Sequence, residues 1–264
     1  MSEKVPRVPD TRPRALVTGN SSGLGRGLTR VLLDRGWTLY GISRRGCDLD
    51  GDIRDIRGDL SEFDLVPRLL DDLLDDVPGL DLVVLNAGVL GEIRAMHEQP
   101  VAEVARVMDV NCWANKVVLD WLHGWRRPVG QIVAISSGAS VLGNRGWGGY
   151  ALSKAALNML VRLYSHEFPE THLSALAPGL IDSAMMDYLC EEPDPGEFPA
   201  LLRIRDARGT DVMPAPTDAA MRIVGILPRL KDFPSGSYVD IRRILDPEAY
   251  EELMKAADIV KPRG

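Results

Sequence analysis

Tyr150 and Lys154 stand four residues apart in the segment Tyr150-Ala151-Leu152-Ser153-Lys154, and this spacing places two side chains on one face of a helix. A free tyrosine titrates near pH ~10, and a nearby ammonium group in a partly dry cleft lowers that pKa. The pair therefore predicts a phenol that donates a proton near neutral pH. The same spacing also occurs by chance on helix surfaces, so the interpretation depends on the rest of the chain.

Ser137 closes the apolar run Gln131-Ile132-Val133-Ala134-Ile135-Ser136-Ser137, which Gly138 follows. A short run rich in β-branched residues is typical of a buried strand. A hydroxyl at the carboxyl end of such a strand lies where α/β sheets bind ligands. The alternative is a serine that only begins a turn.

A glycine-rich turn lies near the start of the chain. Residues 15–19 read as a strand, Asn20-Ser21-Ser22-Gly23-Leu24-Gly25 as a turn, and residues 26–33 as a helix. Glycines let the backbone approach a pyrophosphate. The free amides at the start of the helix can then donate hydrogen bonds to the negatively charged phosphate oxygens. The spacing predicts a dinucleotide site.

Four motifs together resemble the short-chain dehydrogenase/reductase family in its short form. They are the turn from Thr18 to Gly25, Asn86-Ala87-Gly88 after an apolar strand, Ser137 with Tyr150 and Lys154, and Pro178-Gly179 followed by Ser183. The resemblance extends from about Arg14 to about Ile241. Within the family the chain is most similar to the carbonyl reductases related to sepiapterin and benzil reductase.

The resemblance implies a catalytic role for each of three residues. Tyr150 would protonate the substrate carbonyl as a nicotinamide hydride reaches its carbon, and Ser137 would bond the carbonyl oxygen. Lys154 would lower the phenol pKa and bond the ribose hydroxyls of the nicotinamide.

Asn111 is a fourth candidate catalytic residue, because it falls in the middle of a predicted helix, where asparagine is intrinsically unfavourable. Its family counterpart sits at a helix break and places a water beside the lysine, which completes a proton relay. The alternative is an Asn111 that merely faces solvent.

The resemblance also implies a set of cofactor contacts. Asn86 to Gly88 would lie against the adenosine side, with Leu85 standing where the family often has a second asparagine. Asp59 would contact adenine, although it could instead cap the following helix. Ser183 replaces a threonine that meets the nicotinamide carboxamide. The expected contacts are Gly19, Ser21, Ser22, Gly23, Leu24, Gly25, Ser43, Arg44, Asp59, Leu60, Asn86, Ala87, Gly88, Tyr150, Lys154, Pro178, Gly179, Ile181 and Ser183.

The end of the second strand indicates NADP(H) rather than NAD(H). An acidic residue there would bind the free ribose hydroxyls, but this chain has Ser43 and Arg44. Arginine binds a phosphate through its charge and its paired donors. The family's other basic position, inside the glycine turn, is Ser22, so the prediction rests chiefly on Arg44.

A substrate pocket is expected around Ser137 and Tyr150. Its walls would be Trp147, Met185, Met186 and Tyr188, because aromatic and methionine side chains form an adaptable apolar surface. This favours an apolar ketone, diketone or aldehyde. Ordinary core packing is the alternative for Trp147.

Apolar strand patterns alternate with helical patterns along the chain. Strands are predicted near 14–18, 37–43, 54–58, 81–85, 131–136, 172–177 and 237–241, and helices near 23–35, 61–76, 100–123, 149–167 and 217–226. This alternation predicts an α/β fold, a doubly wound parallel sheet (Rossmann fold) with helices on both faces.

One domain is expected over residues 14–264, after a flexible leader of residues 1–13. Residues 183–216 are irregular in pattern but rich in apolar side chains, which is typical of a lid over a site. A small helical excursion packed on the core is the alternative.

Composition excludes several classes of function. The 264 residues carry a net charge of −7, which argues against a nucleic-acid surface. No apolar run reaches the ~18 residues of a membrane span. Three separated cysteines and four scattered histidines indicate neither a disulfide framework nor a metal site. A cytoplasmic protein is expected.

Trp113, Trp121 and Trp125 recur on the predicted helix that carries Asn111. In the family this helix and the Tyr150 helix bury against a partner subunit, so a homodimer or homotetramer is expected, although core packing would also explain the tryptophans. The predicted function is an NADPH-dependent carbonyl reductase acting on a small molecule. The alternative is a non-catalytic protein that binds a dinucleotide with the same fold, either a redox sensor or a regulatory protein.

Overall fold

The computed structural model describes residues 11–258. Most of the expected leader, residues 1–10, lies outside them. Arg12, at the leader's end, pairs with Asp52 at 2.5 Å.

Seven strands within the described residues form one parallel sheet in the order β3-β2-β1-β4-β5-β6-β7. The chain order reverses between β1 and β4, and parallel sheets bind ligands beside the carboxyl ends of the strands at such a point. The strands are β1 (Arg14–Thr18), β2 (Thr38–Ser43), β3 (Ile53–Arg57), β4 (Leu80–Leu85), β5 (Val129–Ile135), β6 (His172–Ala177) and β7 (Ser237–Asp240).

Helices cover both faces of this sheet. They are α1 (Gly23–Asp34), α2 (Val66–Leu74), α3 (Val101–Met108), α4 (Ala114–Trp125), α5 (Ala139–Leu142), α6 (Gly148–Tyr164), α7 (Ala184–Glu191), α8 (Ala200–Ala207), α9 (Pro216–Leu230), α10 (Arg242–Leu245) and α11 (Pro247–Asp258). Helices α1 and α9 share one apolar cluster with the sheet, and α2, α4 and α6 share the other. Burial of apolar surface on both faces stabilises the sheet. The predicted doubly wound fold is confirmed.

Several predicted helices have different limits in the structure, among them the helix expected over 149–167, which ends at Tyr164. The helix expected over 100–123 is interrupted by a π-helical turn, Asp109–Trp113. The helix expected over 217–226 continues to Leu230, because Ile226, Leu227 and Leu230 extend its buried face.

The helix expected from residue 61 begins only at Val66. Before it, the Asp59 carboxylate accepts hydrogen bonds from the Ser61 amide at 3.0 Å and the Ser61 hydroxyl at 2.7 Å. Asp59 therefore closes a turn, and the alternative in which it caps this helix is wrong.

Residues 183–216, here called the lid segment, contain the two short helices α7 and α8. Their buried side chains form a third apolar cluster, which includes Trp147, Leu189, Phe198 and Leu201. The segment lies over the carboxyl edge of β5 and β6, since residues of both helices and of both strand ends line one cavity.

Candidate active site

The glycine turn places backbone atoms that carry no side chain at the carboxyl end of β1. Gly19 and Gly23 have φ angles of +70° and +50°, which side chains of L-residues rarely tolerate. A Cβ on Gly25 would lie 2.2 Å from the Gly19 carbonyl oxygen and 2.5 Å from the Asn86 side-chain nitrogen. Ser22 precedes α1 without capping it through its side chain, so the first amides of α1 keep their donors for an anion.

A cavity of about 1480 Å³ runs along the carboxyl edge of the sheet, from the glycine turn to the lid segment. All nineteen residues expected to contact the cofactor line this cavity. The glycine cradle, the free helix amides and the length of the cavity fit a dinucleotide.

Thr18 joins the ends of β1 and β4 beneath this cavity. Its hydroxyl accepts hydrogen bonds from the amides of Asn86 at 2.9 Å and Ala87 at 3.1 Å. The Asn86 side chain donates back to the Thr18 carbonyl at 2.9 Å. Asn86 therefore holds two strand ends together beside the glycine turn.

The adenosine end of the cavity contains a link that the sequence did not reveal. Asn20 donates to Asp55 on β3 at 2.6 Å, and the second Asp55 oxygen accepts from the Cys47 amide at 2.9 Å. A Cβ on Gly41 would lie 2.0 Å from the Asn20 nitrogen, so this link requires glycine in the middle of β2. No motif in the sequence indicated that residues so far apart meet here.

Arg44 and Asp59 lie close enough to interact at this end. Burial acts to raise the Asp59 pKa, but hydrogen bonds from Ser61 and the charge of Arg44 together lower it below its usual value. Asp59 is therefore a carboxylate at neutral pH and faces the arginine expected to bind a phosphate.

Lys154 is buried, with only 3% of its surface exposed. Its Nζ donates to the Ile135 carbonyl at 2.8 Å and lies 5.7 Å from the centre of the Tyr150 ring. Burial lowers the Lys154 pKa to about 8. A Cβ on Gly88 would lie 3.4 Å from this Nζ, so Gly88 leaves the ammonium group open to the cavity.

The Tyr150 phenol faces the same part of the cavity. Burial raises its pKa, and a hydrogen bond with Ser137 offsets only part of this rise. The net direction is opposite to the lowering expected from Lys154, because desolvation of the phenolate is the largest effect. Tyr150 therefore carries its proton at neutral pH.

A polar chain fixes the Ser137 loop against the helix that carries Tyr150. Ser136 donates to the Asn158 side-chain oxygen at 2.5 Å, and Asn158 donates to the Ser140 hydroxyl at 2.8 Å. The Ser140 hydroxyl then donates to the Ser137 carbonyl at 2.6 Å. The sequence patterns did not indicate this role for Asn158, although it follows Lys154 by four residues and therefore lies on the same face of the helix.

Asn111 lies in the π-helical turn and is fully buried, so the solvent-facing alternative is wrong. Its side chain donates to the Val89 carbonyl at 2.8 Å and to the Ser153 hydroxyl at 2.9 Å, and accepts from the Val89 amide at 2.8 Å. Both amide hydrogens are used. The Asn111 backbone carbonyl accepts a hydrogen bond from the Asn115 side chain at 2.8 Å.

The lid end of the cavity includes most of the expected substrate pocket. Ser137, Tyr150, Met185, Met186 and Trp147 line it. Trp147 is also 95% buried in the third apolar cluster, so it packs in that cluster and forms part of the cavity wall. Tyr188 is the exception, since its hydroxyl accepts from the Ile93 amide at 3.1 Å and it does not line the cavity.

The three tryptophans near Asn111 have different environments. Trp121 donates to Asp71 at 2.8 Å and packs against Trp125, with ring centres 5.3 Å apart and ring planes inclined by 31°. Both pack against the core. Trp113 is 42% exposed.

Some kinds of site are absent from the part of the chain that the structure describes. Within residues 11–258, no helix is long and apolar enough to cross a membrane, and no cluster of His, Cys, Asp or Glu could hold a metal ion.

Comparison with known proteins identifies the family. The sequence model described as short chain dehydrogenase matches residues 13–194. An uncharacterized oxidoreductase of Saccharomyces cerevisiae is 30% identical over 195 residues, which cover 70% of this chain and 77% of that protein. The benzil reductase ((S)-benzoin forming) of the same yeast is 30% identical over 199 residues, which cover 68% and 76%.

Among solved structures, that of the KRED1-Pglu enzyme is similar with a TM-score of 0.73 and 25% identity, over 86% of this chain and 100% of that chain. The chain belongs to the short-chain dehydrogenase/reductase family and is an NAD(P)-dependent oxidoreductase.

Proposed function

We propose that the protein is an NADPH-dependent carbonyl reductase that converts a ketone, diketone or aldehyde to an alcohol. The observation that carries this proposal is the meeting of Ser137, Tyr150 and Lys154 in one cavity, next to a glycine cradle that fits a dinucleotide. A bound reduced nicotinamide supplies the hydride.

Each of the three side chains has a distinct task. The Tyr150 phenol is protonated at neutral pH and donates its proton to the carbonyl oxygen as charge develops there. Ser137 directs that oxygen through a hydrogen bond. The Lys154 ammonium bonds the ribose hydroxyls and attracts the phenolate that remains.

Asn111 is proposed to position the water of the proton relay through which Tyr150 regains its proton. Since its side-chain hydrogens are occupied by Val89 and Ser153, a relay water near Lys154 would bond the Asn111 backbone carbonyl instead. The π-helical turn Asp109–Trp113 interrupts the regular α-helical hydrogen bonding around Asn111, which supports this arrangement.

NADP(H) is the proposed cofactor in preference to NAD(H). Ser43 and Arg44 line the cavity where β2 ends, so no carboxylate follows that strand to bind free ribose hydroxyls. The Arg44 guanidinium supplies paired donors for a 2′-phosphate.

The substrate class is supported by the cavity wall and by a relative. Met185, Met186 and Trp147 provide apolar surface beside Tyr150. The yeast relative is named for reduction of benzil, an aromatic diketone. The lid segment is proposed to close over such a substrate, as one part of a single domain over residues 14–264, of which residues 259–264 lie outside the described part of the chain.

A homodimer or homotetramer in the cytoplasm completes the proposal. Trp113, Leu152, Met159 and Leu163 expose large apolar side chains on or next to α4 and α6, and burial against a second copy would remove them from water. Cys47, Cys112 and Cys190 are unpaired, as is usual in a reducing compartment.

The test is a screen of ketones, diketones, quinones and aldehydes for loss of NADPH absorbance. We expect turnover with apolar diketones and aryl ketones. NADPH binding without turnover of any of these compounds would contradict the proposal and favour a redox sensor.

A further inference from the structure

The face of α8 that meets the cavity carries one charged side chain. Ala200, Arg203, Ile204 and Ala207 line the cavity from this helix, and their spacing defines a single helical face. The other three are apolar and pack in or against the third cluster. Arg203, although exposed to solvent, therefore presents a guanidinium from the lid segment at the substrate end of the cavity.

A second guanidinium lines the cavity at the start of α10. Arg242 bonds Asp240 through its Nε at 2.8 Å and its Nη2 at 2.6 Å. The same Nη2 lies 3.8 Å from the position that a Cβ on Gly138 would occupy. Because Gly138 follows Ser137, the Arg242 head group lies beside the loop that directs the substrate carbonyl.

Arg203 and Arg242 differ in how their positive charges are compensated. Within residues 11–258, no hydrogen bond or ion pair holds the Arg203 side chain, whereas Asp240 is already paired with Arg242. Burial, and after it the charge of Arg242, lower the Arg203 pKa, whereas the charge of Asp240 acts to raise it, so Arg203 lies within electrostatic range of the Arg242–Asp240 pair. Asp246 and Glu252 also line this cavity, but neither lies within ion-pair distance of Arg203.

We propose that Arg203 and Arg242 together bind a carboxylate group of the substrate, so that the protein acts on carbonyl compounds that are also acids. This inference rests on the proposed carbonyl reductase function and narrows its substrate class. Arg203 can give paired donors to a carboxylate. Arg242, whose Nε and Nη2 bond Asp240, can add a donor from its Nη1. The apolar wall formed by Trp147, Met185 and Met186 would hold the body of the substrate.

This arrangement also connects binding to orientation. Arg203 belongs to the lid segment and Arg242 to the sheet side of the cavity. A carboxylate between them would join the two sides and offset the repulsion between the cations. The ketone of the same molecule would then be held at a fixed distance from Ser137 and Tyr150.

Binding is tested first, without turnover. The protein saturated with NADP⁺ is titrated with benzoate, phenylacetate and 3-phenylpropanoate, and with the matching neutral amides, by calorimetry. We expect at least one acid to bind about 10- to 100-fold more tightly than its amide, and Arg203→Ala to abolish this preference. Equal affinity of all acids and amides for the unaltered protein overturns the proposal.

Turnover is then compared within pairs of equal shape. Phenylglyoxylate and 4-oxo-4-phenylbutanoate are each measured against their methyl esters. We expect kcat/KM to favour an acid, and Arg203→Ala to raise KM for that acid about 10-fold or more while leaving the ester unchanged. Arg203→Lys should restore part of the preference for the acid, because lysine supplies the positive charge but not the paired donors of a guanidinium group.

Arg229→Ala is the matched control, because Arg229 is an exposed arginine on α9 that does not line the cavity. Arg229→Ala should change neither the ratio of acid to amide affinity nor the ratio of kcat/KM between acid and ester. Reduction of acids and esters at equal kcat/KM would overturn the carboxylate site and support the reductase. Arg203-dependent acid binding with no reduction of any ketone would reject the reductase and support the carboxylate site.

Discussion

The side-chain nitrogen of Asn111 lies 2.9 Å from the hydroxyl oxygen of Ser153, and that hydroxyl donates to the Tyr150 carbonyl at 2.7 Å. The same Asn111 amide group makes two bonds to the backbone of Val89. One buried side chain therefore holds the loop after β4 and the helix of the phenol in a fixed relation. This is a positioning role, distinct from the water relay that the family resemblance implied.

Asn111→Ala should lower the free energy of unfolding by ~2–4 kcal/mol, because it leaves buried donors and acceptors without partners. Urea denaturation measures this loss. Asn144→Ala is the control, since the Asn144 side chain makes no hydrogen bond within residues 11–258, and its change should stay within about 0.5 kcal/mol. Equal effects of the two variants would contradict the positioning role.

Asn158→Ala should lower kcat about 10-fold and leave KM for NADPH unchanged, because Asn158 orients the Ser137 loop without lining the cavity. Ser140→Ala breaks the same chain of hydrogen bonds. Steady-state kinetics of both single variants and the double variant test this, and the double variant should resemble either single one. Additive losses would show that the two residues act separately.

Local patterns predicted the fold and most of the cavity, whereas contacts between distant residues were not predictable. The glycine turn and the Tyr150 helix have short-range signals, because each needs a particular spacing within a few residues. Asn20 and Asp55 meet only because β1, β2 and β3 are neighbours in the sheet. The phenol pKa was predicted in the wrong direction because its desolvation depends on the packed structure.

Tyr150→Phe should lower turnover at least ~10²-fold, the scale of a lost general acid, while NADPH affinity is retained. Fluorescence titration with NADPH and steady-state kinetics measure the two quantities. Tyr188→Phe is a matched control, because Tyr188 lies outside the cavity and should keep turnover within a few-fold. Turnover of Tyr150→Phe close to that of the unaltered protein would remove Tyr150 as the acid.

The pH dependence of kcat/KM for NADPH should follow Lys154. Its pKa is lowered to about 8, so the ammonium donor is present below that pH and is lost as the pH rises through it. We expect kcat/KM to fall above about pH 8, since this ratio reports the free enzyme. Lys154→Arg stays charged at every accessible pH, and any activity it retains should lack this fall. A flat profile for the unaltered protein would contradict the assignment.

Arg44→Ala should raise KM for NADPH roughly 10- to 100-fold and scarcely change KM for NADH. Only NADPH carries the 2′-phosphate, and a partly exposed charge-assisted contact contributes ~1.5–3 kcal/mol. Adding Ser43→Asp should reverse the preference, because a carboxylate accepts from free ribose hydroxyls and repels a phosphate. Arg30→Ala controls for net charge, since Arg30 is exposed on α1 outside the cavity. If Arg44→Ala weakens both cofactors equally, or if the unaltered protein uses NADH as well as NADPH, then Arg44 does not select the cofactor.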